Sequence, residues 1–291
     1  MKISDILAQR ERGVSFEFFP PKTEAGMKSL AVTASALKKY KPLYMSMTCG
    51  AGGSTQQRTK EATYVLLKDR QLTVVPHLTS IGTTEVTMAV SLDEYKRSGI
   101  ENIMALRGDP PEGVVDFDFS RQEFNYARDL VIFIKRFGHF CIGVAVYPEG
   151  HIETHSLDED IEYTKMKIDA GADFAATQMF FENIHYYRLL ERMKKKSIGI
   201  PVLPGILPLT DITKLKKFCS VCRTTIPKNI EEAMSRCKNP HEMEKVGLDF
   251  TIQQCRDLIK NGHTRLHFFT FNKLEIITQI LNALSGELHL V

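Results

Sequence analysis

The chain has 291 residues, 43% hydrophobic and 25% charged, which is ordinary for a globular protein with a sizeable core. A net charge of +3 argues against a nucleic-acid partner held by phosphate contacts. The densest basic runs, Lys194–Lys196 and Lys214–Lys217, carry no interleaved aromatics for stacking bases and read as solvated helix faces or ends.

No apolar stretch approaches membrane-spanning length, and the first residues, M-K-I-S-D-I-L-A-Q-R, lack the apolar core of a signal peptide. A cytoplasmic protein, with no membrane partner, is expected. The cysteines are scattered and read as mostly free thiols in a reducing compartment.

Short β-branched and aromatic runs alternate with longer helical patterns. The expected strands, in chain order, are Val14–Phe19, Leu43–Thr48, Thr73–Pro76, Asn102–Leu106, Cys141–Val146, Phe174–Gln178, Ile200–Leu203 and Arg265–Thr270. The helical patterns between them are Glu24–Lys39, Thr55–Lys68, Thr84–Arg97, Arg121–Arg136, Leu157–Ala170, Ile184–Lys195, Asp211–Phe218 and Asn272–Leu284, with extra helices over Lys228–Lys260 before the last strand. Strict alternation predicts a parallel sheet with right-handed crossovers, and eight strand–helix pairs are the number that closes a (β/α)8 TIM barrel. The alternative is an open doubly wound sheet, which places a glycine-rich dinucleotide loop after an early strand. G-A-G-G-S-T, from Gly50 to Thr55, follows the second strand but does not meet that spacing. Nothing splits the chain, so one catalytic domain over 1–291 is expected.

In such a barrel the chemistry sits at the C-terminal ends of the strands. The first run, V-S-F-E-F-F-P-P-K, puts Glu17 among Phe16, Phe18 and Phe19. A carboxylate among aromatics is costly to ionise, so its pKa is expected to rise, as suits a general acid. The other strand ends supply Thr48, His77, Arg107 with Asp109, Tyr147 with His151, Gln178, Gly205, and Phe269 to Lys273, and Phe218 follows on the seventh helix. Each has a plainer reading. Glu17 could be a structural carboxylate paired with an arginine, Arg107 and Asp109 a turn, His77 and Gln178 satisfied core groups, and Phe218 packing. Their coincidence at one mouth favours function. Cys219 and Cys222 form a C-x-x-C, but Cys237 and Cys255 are single and distant, so helix packing rather than a metal or redox site is expected.

V-S-F-E-F-F-P-P-K, P-H-L-T, A-L-R-G-D-P-P, Y-P-E-G-H, D-A-G-A, T-Q-M-F-F, P-G-I-L-P and H-F-F-T-F-N-K occur together in an order that resembles the methylenetetrahydrofolate reductase family, in its short bacterial form that is a catalytic barrel alone. The resemblance runs over nearly the whole chain. It implies a flavoprotein that reduces 5,10-methylenetetrahydrofolate to 5-methyltetrahydrofolate, with hydride from the flavin N5 and NADH or NADPH as co-substrate. On that resemblance Glu17 is the general acid that opens the ring to an iminium ion. Asp109 lies between flavin and folate, and its charge favours the cation. Gln178 and Phe218 contact the substrate, and Lys273 matches a position that pairs with folate. Thr48, His77, Arg107, Gly108, Asp109, Tyr147, His151, Asp160 and Lys167 match positions that contact FAD, while Ala172 shapes the site by packing.

The chain departs from the pattern at Tyr163 and Met166, near the dinucleotide phosphates, which leaves FMN as the lesser alternative to FAD. It departs also at Cys49, Phe269 and Lys273, where a lysine loses the bidentate fork of an arginine. The resemblance further implies self-association into a homo-oligomer. Competing readings are a flavin–folate subunit fed by a partner iron–sulfur subunit, a proline-dehydrogenase-like flavin barrel, and a non-catalytic binding protein of the same fold.

Overall fold

The computed structural model describes residues 1–50, 56–69, 71–110, 113, 117–118 and 121–290. Most of the expected glycine-rich loop, at 51–55, and the second proline of A-L-R-G-D-P-P, at 111, lie outside the described residues.

The strands are β1 (Gly13–Phe18), β2 (Met45–Met47), β3 (Val74–Thr79), β4 (Asn102–Leu106), β5 (Cys141–Val146), β6 (Phe174–Thr177), β7 (Val202–Leu203), β8 (Gly205–Ile206) and β9 (Arg265–Phe269). Every pairing is parallel, and the order β7-β6-β5-β4-β3-β2-β1-β9-β8 is that of a TIM-like barrel. The seventh expected strand, Ile200–Leu203, is found as Val202–Leu203, and a further short strand, Gly205–Ile206, follows Pro204. Val202–Leu203 pairs with β6, and Gly205–Ile206 pairs with β9. Proline has no N–H to give a ladder, but the Pro204 carbonyl accepts from His267 N at 3.0 Å, so the seam stays closed. Gly205 makes the bend possible, because a Cβ there would lie 2.3 Å from the Thr177 carbonyl oxygen.

The helices are α1 (Ile3–Gln9), α2 (Glu24–Leu37), α3 (Gln56–Leu67), α4 (Glu85–Arg97), α5 (Ala127–Lys135), α6 (Leu157–Asp169), α7 (Asn183–Lys195), α8 (Ile212–Cys222), α9 (Lys228–Ser235), α10 (Pro240–Lys260), α11 (Leu274–Ala283) and α12 (Ser285–Leu288). Their starts are chemically marked. Thr23, Ser156, Asp211 and Asn239 each accept a backbone N–H of the first turn with their side chains, and Pro240 opens α10. The expected extra helices before the last strand are α9 and α10. No described helix is long and apolar enough to cross a membrane.

Strand β1 is buried along its whole length, as expected of a strand with side chains inside the barrel on one face and helices on the other. Helix α1 closes the N-terminal end. Its Ile3, Ile6 and Leu7 join Tyr44, Val75, Met104 and Phe174 in one buried cluster, each burial contributing about 1.5–3 kcal/mol. Asn102 ties this plug down, accepting from Ile3 N at 2.7 Å and donating to Met1 O at 3.0 Å. The opposite, C-terminal end is the mouth.

Candidate active site

Parallel register decides which side chains share the interior. Glu17 on β1 is level with Ser46 on β2 and Phe269 on β9, and Ser15 is level with His267. Residues level with one another on neighbouring strands point to the same face. Glu17, 8% exposed, therefore meets His267 inside the barrel, with Glu17 Oε2 at 3.1 Å from His267 Nε2. The same oxygen lies 3.5 Å from Nε2 of His77, from β3. Behind His267, its Nδ1 is 2.9 Å from Ser15 Oγ and 3.3 Å from the Tyr44 hydroxyl, and the Tyr44 ring stacks on the imidazole at 5.5 Å. The sequence reading found neither His267 nor its two hydroxyl neighbours. The signal was present: period-two alternation puts Ser15 beside Glu17 on one face of the first strand, and His267 beside Phe269 on one face of the last.

This arrangement corrects the expected protonation of Glu17. Burial does push its carboxyl upward, and is the largest single influence. Against it, the charge of His77 and the hydrogen bond and charge of His267 together bring the carboxyl below its ordinary value. Burial pushes His77 down, while the Glu17 charge pulls it back up. The charge contributions require a proton on an imidazole; the hydrogen bond from His267 does not. The aromatics of the first run supplied only half of the environment.

The exit of β1 is fastened to the exit of β9. Thr270 donates to the Glu17 carbonyl from its N at 3.0 Å and from its Oγ1 at 2.7 Å. Asn272 then uses its side-chain amide as one more rung of the ladder. Phe19 N donates to Oδ1 at 3.0 Å, and Nδ2 donates to Phe19 O at 2.9 Å. Phe271 and Asn272 both have positive φ, 46° and 58°, a left-handed conformation that costs a phenylalanine about 1–3 kcal/mol. The turn brings Phe271 into a stack with Phe19 at 5.1 Å and 3°, and against Phe218 of α8 at 5.3 Å. Phe19 and Phe218 remain 36% and 40% exposed, so this aromatic surface faces the mouth unburied.

A second group lies on the β4–β5–α6 side. Arg107 ends β4 in a bidentate pair with Glu153, both contacts 2.6 Å. Gly108 follows at φ +82°, where a Cβ would lie 2.7 Å from Ile81 Cγ2 and 3.0 Å from Thr79 Cβ. The backbone can thus turn close over β3 only without a side chain. Asp109 is exposed beyond it. Tyr147 and His151 follow β5 with their rings edge to face at 4.8 Å. Lys167 of α6 donates to the Ala145 carbonyl at 2.6 Å and lies 5.6 Å from the centre of the Tyr147 ring. Burial pushes the Lys167 amine down to about 8, against the opposing pull of Asp160. Asp160 is itself pushed up by burial while accepting from His151 N at 2.9 Å. His151 is pushed down by burial and by Arg107, and its Nδ1 accepts from Glu153 N at 3.2 Å.

Thr48 and His77 sit at the ends of β2 and β3, both buried. Gln178 follows β6, its Oε1 turned back to accept from Met179 N at 2.9 Å. Lys273 is exposed on the loop before α11. The ends of the strands thus bring the expected residues to one end of the barrel, in two groups: Glu17 with His77, and Arg107 with Tyr147, His151, Asp160 and Lys167. Among the described residues, His77 Nε2 and Ser46 Oγ are buried without a hydrogen-bond partner. Such orphaned groups are what a polar ligand would satisfy. An anionic, flat cofactor fits the donors present: the Arg107 and Lys167 cations, the close backbone approach at Gly108, and the unpartnered His77.

Cys219 and Cys222 are free thiols on α8, pushed up by burial to about 12 and about 11. Both pack in or against the apolar cluster under that helix. Among the described residues no three His, Cys, Asp or Glu side chains group as a metal site would. A groove of about 410 Å³ lies outside the barrel between α2 and α3, lined by Met27, Lys28, Leu66 and Asp69, and takes no part in the mouth.

Comparison with known proteins supplies the family. The family model described as "Methylenetetrahydrofolate reductase" matches residues 2–285. The Escherichia coli 5,10-methylenetetrahydrofolate reductase is 35% identical over 278 residues, covering 95% of this chain and 92% of that protein. Methylenetetrahydrofolate reductase 1 of Schizosaccharomyces pombe is 34% identical over 98% of this chain, but the chain spans only 48% of its length. Among solved structures, an uncharacterized protein from Clostridium thermocellum, described as binding two copies of 5-methyl-5,6,7,8-tetrahydrofolic acid, superposes with a TM-score of 0.62 at 14% identity, covering 99% of both chains. That likeness is one of fold. With a buried carboxylate at the mouth of a parallel barrel and a family match along nearly its whole length, the chain belongs to the methylenetetrahydrofolate reductase family.

Proposed function

We propose that this chain reduces 5,10-methylenetetrahydrofolate to 5-methyltetrahydrofolate, with Glu17 as the proton donor that opens the substrate ring. The observation that carries this reading is the buried Glu17 carboxyl at the mouth, bracketed by two imidazoles and set beside an exposed aromatic surface. A pterin is flat and aromatic, and Phe19, Phe271 and Phe218 offer it a stacking face. Opening the ring needs a proton on the departing amine, and the Glu17–His77–His267 cluster holds titratable groups within reach of one another. In the ligand-free protein the two imidazoles outweigh burial and hold that carboxyl below its ordinary value.

Thr48, His77, Arg107, Gly108, Asp109, Tyr147, His151, Asp160 and Lys167 would hold a flavin, FAD in preference to FMN. A bound flavin supplies the hydride, drawn in turn from NADH or NADPH. Arg107 and Lys167 would meet its phosphates, Arg107 by exchanging Glu153 for a phosphate oxygen. Asp160 also orients His151 through the backbone. Asp109, at the rim, places a negative charge where the substrate becomes an iminium cation. Gln178 and Lys273 complete the folate side. The active barrel is read as one domain over 1–291, self-associating in solution.

Anaerobic titration of the oxidised, flavin-loaded protein with 5-methyltetrahydrofolate tests this reading. Bleaching of the flavin absorbance is expected, because the reaction runs backward through the same site. A flavin that stays oxidised at saturating folate would overturn it. Subsequent reduction by NADH or NADPH, or by neither, identifies the donor and separates direct reduction from supply by a partner subunit.

A further inference from the structure

We propose that Ser15 and Tyr44 fix His267 as the Nε2–H tautomer, making His267 the positioning residue that holds Glu17 Oε2 and leaves Oε1 for the substrate amine. The inference rests on the reading of Glu17 as proton donor.

The distances carry it. Ser15 Oγ has three acceptors in reach, His267 Nδ1 at 2.9 Å, the Leu266 carbonyl at 3.5 Å and the Tyr44 hydroxyl. The shorter contact takes the hydroxyl proton, since bonds near 3.5 Å are weak. The Tyr44 hydroxyl adds a second donor toward Nδ1 at 3.3 Å. A nitrogen that accepts carries no proton, so in the neutral ring the proton sits on Nε2. Nε2 faces Glu17 Oε2 at 3.1 Å and donates to it. His267 is wholly buried, and stacking on Tyr44 removes its freedom to flip. The groups facing the carboxyl are thus His267 from β9, His77 from β3, and, behind the imidazole, the hydroxyls of Ser15 from β1 and of Tyr44 just before β2. Both imidazole contacts fall on Oε2.

The chemistry balances at each atom. The proton on Oε1 passes to the departing amine nitrogen. The carbon–nitrogen bond breaks with its electron pair staying on that nitrogen, and the carbon becomes the iminium centre. The carboxylate left behind keeps the Nε2–H bond, which is stronger to an anion than to the neutral acid. A ring held as the Nδ1–H tautomer would instead present a lone pair to the carboxylate. An imidazole in the wrong tautomer disables a site whose geometry is otherwise intact.

The test uses two readouts. In flavin-free protein labelled with ¹⁵N-histidine, the His267 signals, assigned by their loss in His267→Gln, should show a neutral ring protonated at Nε2. A neutral ring protonated at Nδ1 would overturn the proposal without any other variant. In holoenzyme reduced anaerobically with dithionite, flavin reoxidation by 5,10-methylenetetrahydrofolate is followed against pH. That rate falls as pH rises through the pKa of the proton donor. In the double variant Ser15→Ala with Tyr44→Phe the tautomer lock is gone, and the falling limb should move upward by about one pH unit. Reduction of the same flavin by dithionite should be unchanged. A lower rate with an unmoved limb would mean that the hydroxyls act only by packing, and would overturn the inference. Normal reoxidation in Glu17→Gln would overturn the reading of Glu17 itself, so the two failures are distinguishable.

Discussion

The two sides of the mouth are built differently. On the β1–β9 side the polar groups come from within strands or, for Tyr44, from the residue that leads into one, are buried, and bond to one another: Glu17, His267, Ser15 and Tyr44. On the β4–β5 side they come from loops and a helix face, and their fixed charges pair at the rim, as in Arg107 with Glu153. Groups that handle a proton must be held at fixed distance in a dry place, which strands provide. Groups that grip a charged cofactor must let it in, which loops allow. Changes on the first side should therefore damage chemistry and spare the flavin, and changes on the second should do the reverse.

The largest expected effect is that of Glu17→Gln. It should slow flavin reoxidation by 5,10-methylenetetrahydrofolate by about 10²–10⁴-fold while bound flavin stays at the wild-type amount, as stopped-flow absorbance will record. If the flavin content falls in step with the rate, the division between the sides is wrong.

Gly108→Ala comes next. The added methyl would have to share space with Ile81 and Thr79 at φ +82°, costing about 1–3 kcal/mol. Thermal unfolding should move to lower temperature and less flavin should co-purify.

Lys167→Met should weaken flavin binding about tenfold, the loss of one charge-assisted contact. The sign with pH follows from its lowered pKa of about 8. Below that value the amine is charged and attracts an anion, and above it the charge is lost. Wild-type affinity for flavin should therefore decline above about pH 8, and the variant should show no such decline. Equilibrium titration at several pH values decides it.

Phe218→Leu is the gentlest. It removes a partly exposed ring from the Phe271 stack, a contact of about 0.5–1.5 kcal/mol. The KM for folate should rise about two- to tenfold with the flavin untouched.

Much of the fold was legible in the sequence because the strands are short apolar runs between helix caps. Asn102–Leu106 and Cys141–Val146 have the bounds expected from their sequence. Helix α5 was expected from Arg121 and starts at Ala127, because Asp129 takes the N–H groups of Asn125 and Tyr126 and caps the helix from inside. Helix α1 was missed: seven residues with no side-chain cap carry little signal, and the plug forms only because a barrel floor exists to receive it. In the site, the strand ends announced Glu17, His77 and Arg107 through their local motifs. The direction of the Glu17 pKa did not follow, since it depends on His77 and His267, sixty and 250 positions away. Local sequence reports burial well and long-range partners poorly.

That separation between Glu17 and His267, 250 positions along the chain, has a consequence for assembly. Joining two points so distant costs about 5 kcal/mol in chain entropy, which the β1–β9 pairing must offset before the dyad exists. The ladder that does so closes the ring, and its last rung is an asparagine side chain. A nascent or clipped chain can therefore hold most of its helices and still lack the Glu17–His267 contact. On the proposed role of Glu17, a barrel in which β1 and β9 have not yet paired would lack the dyad and should be chemically silent.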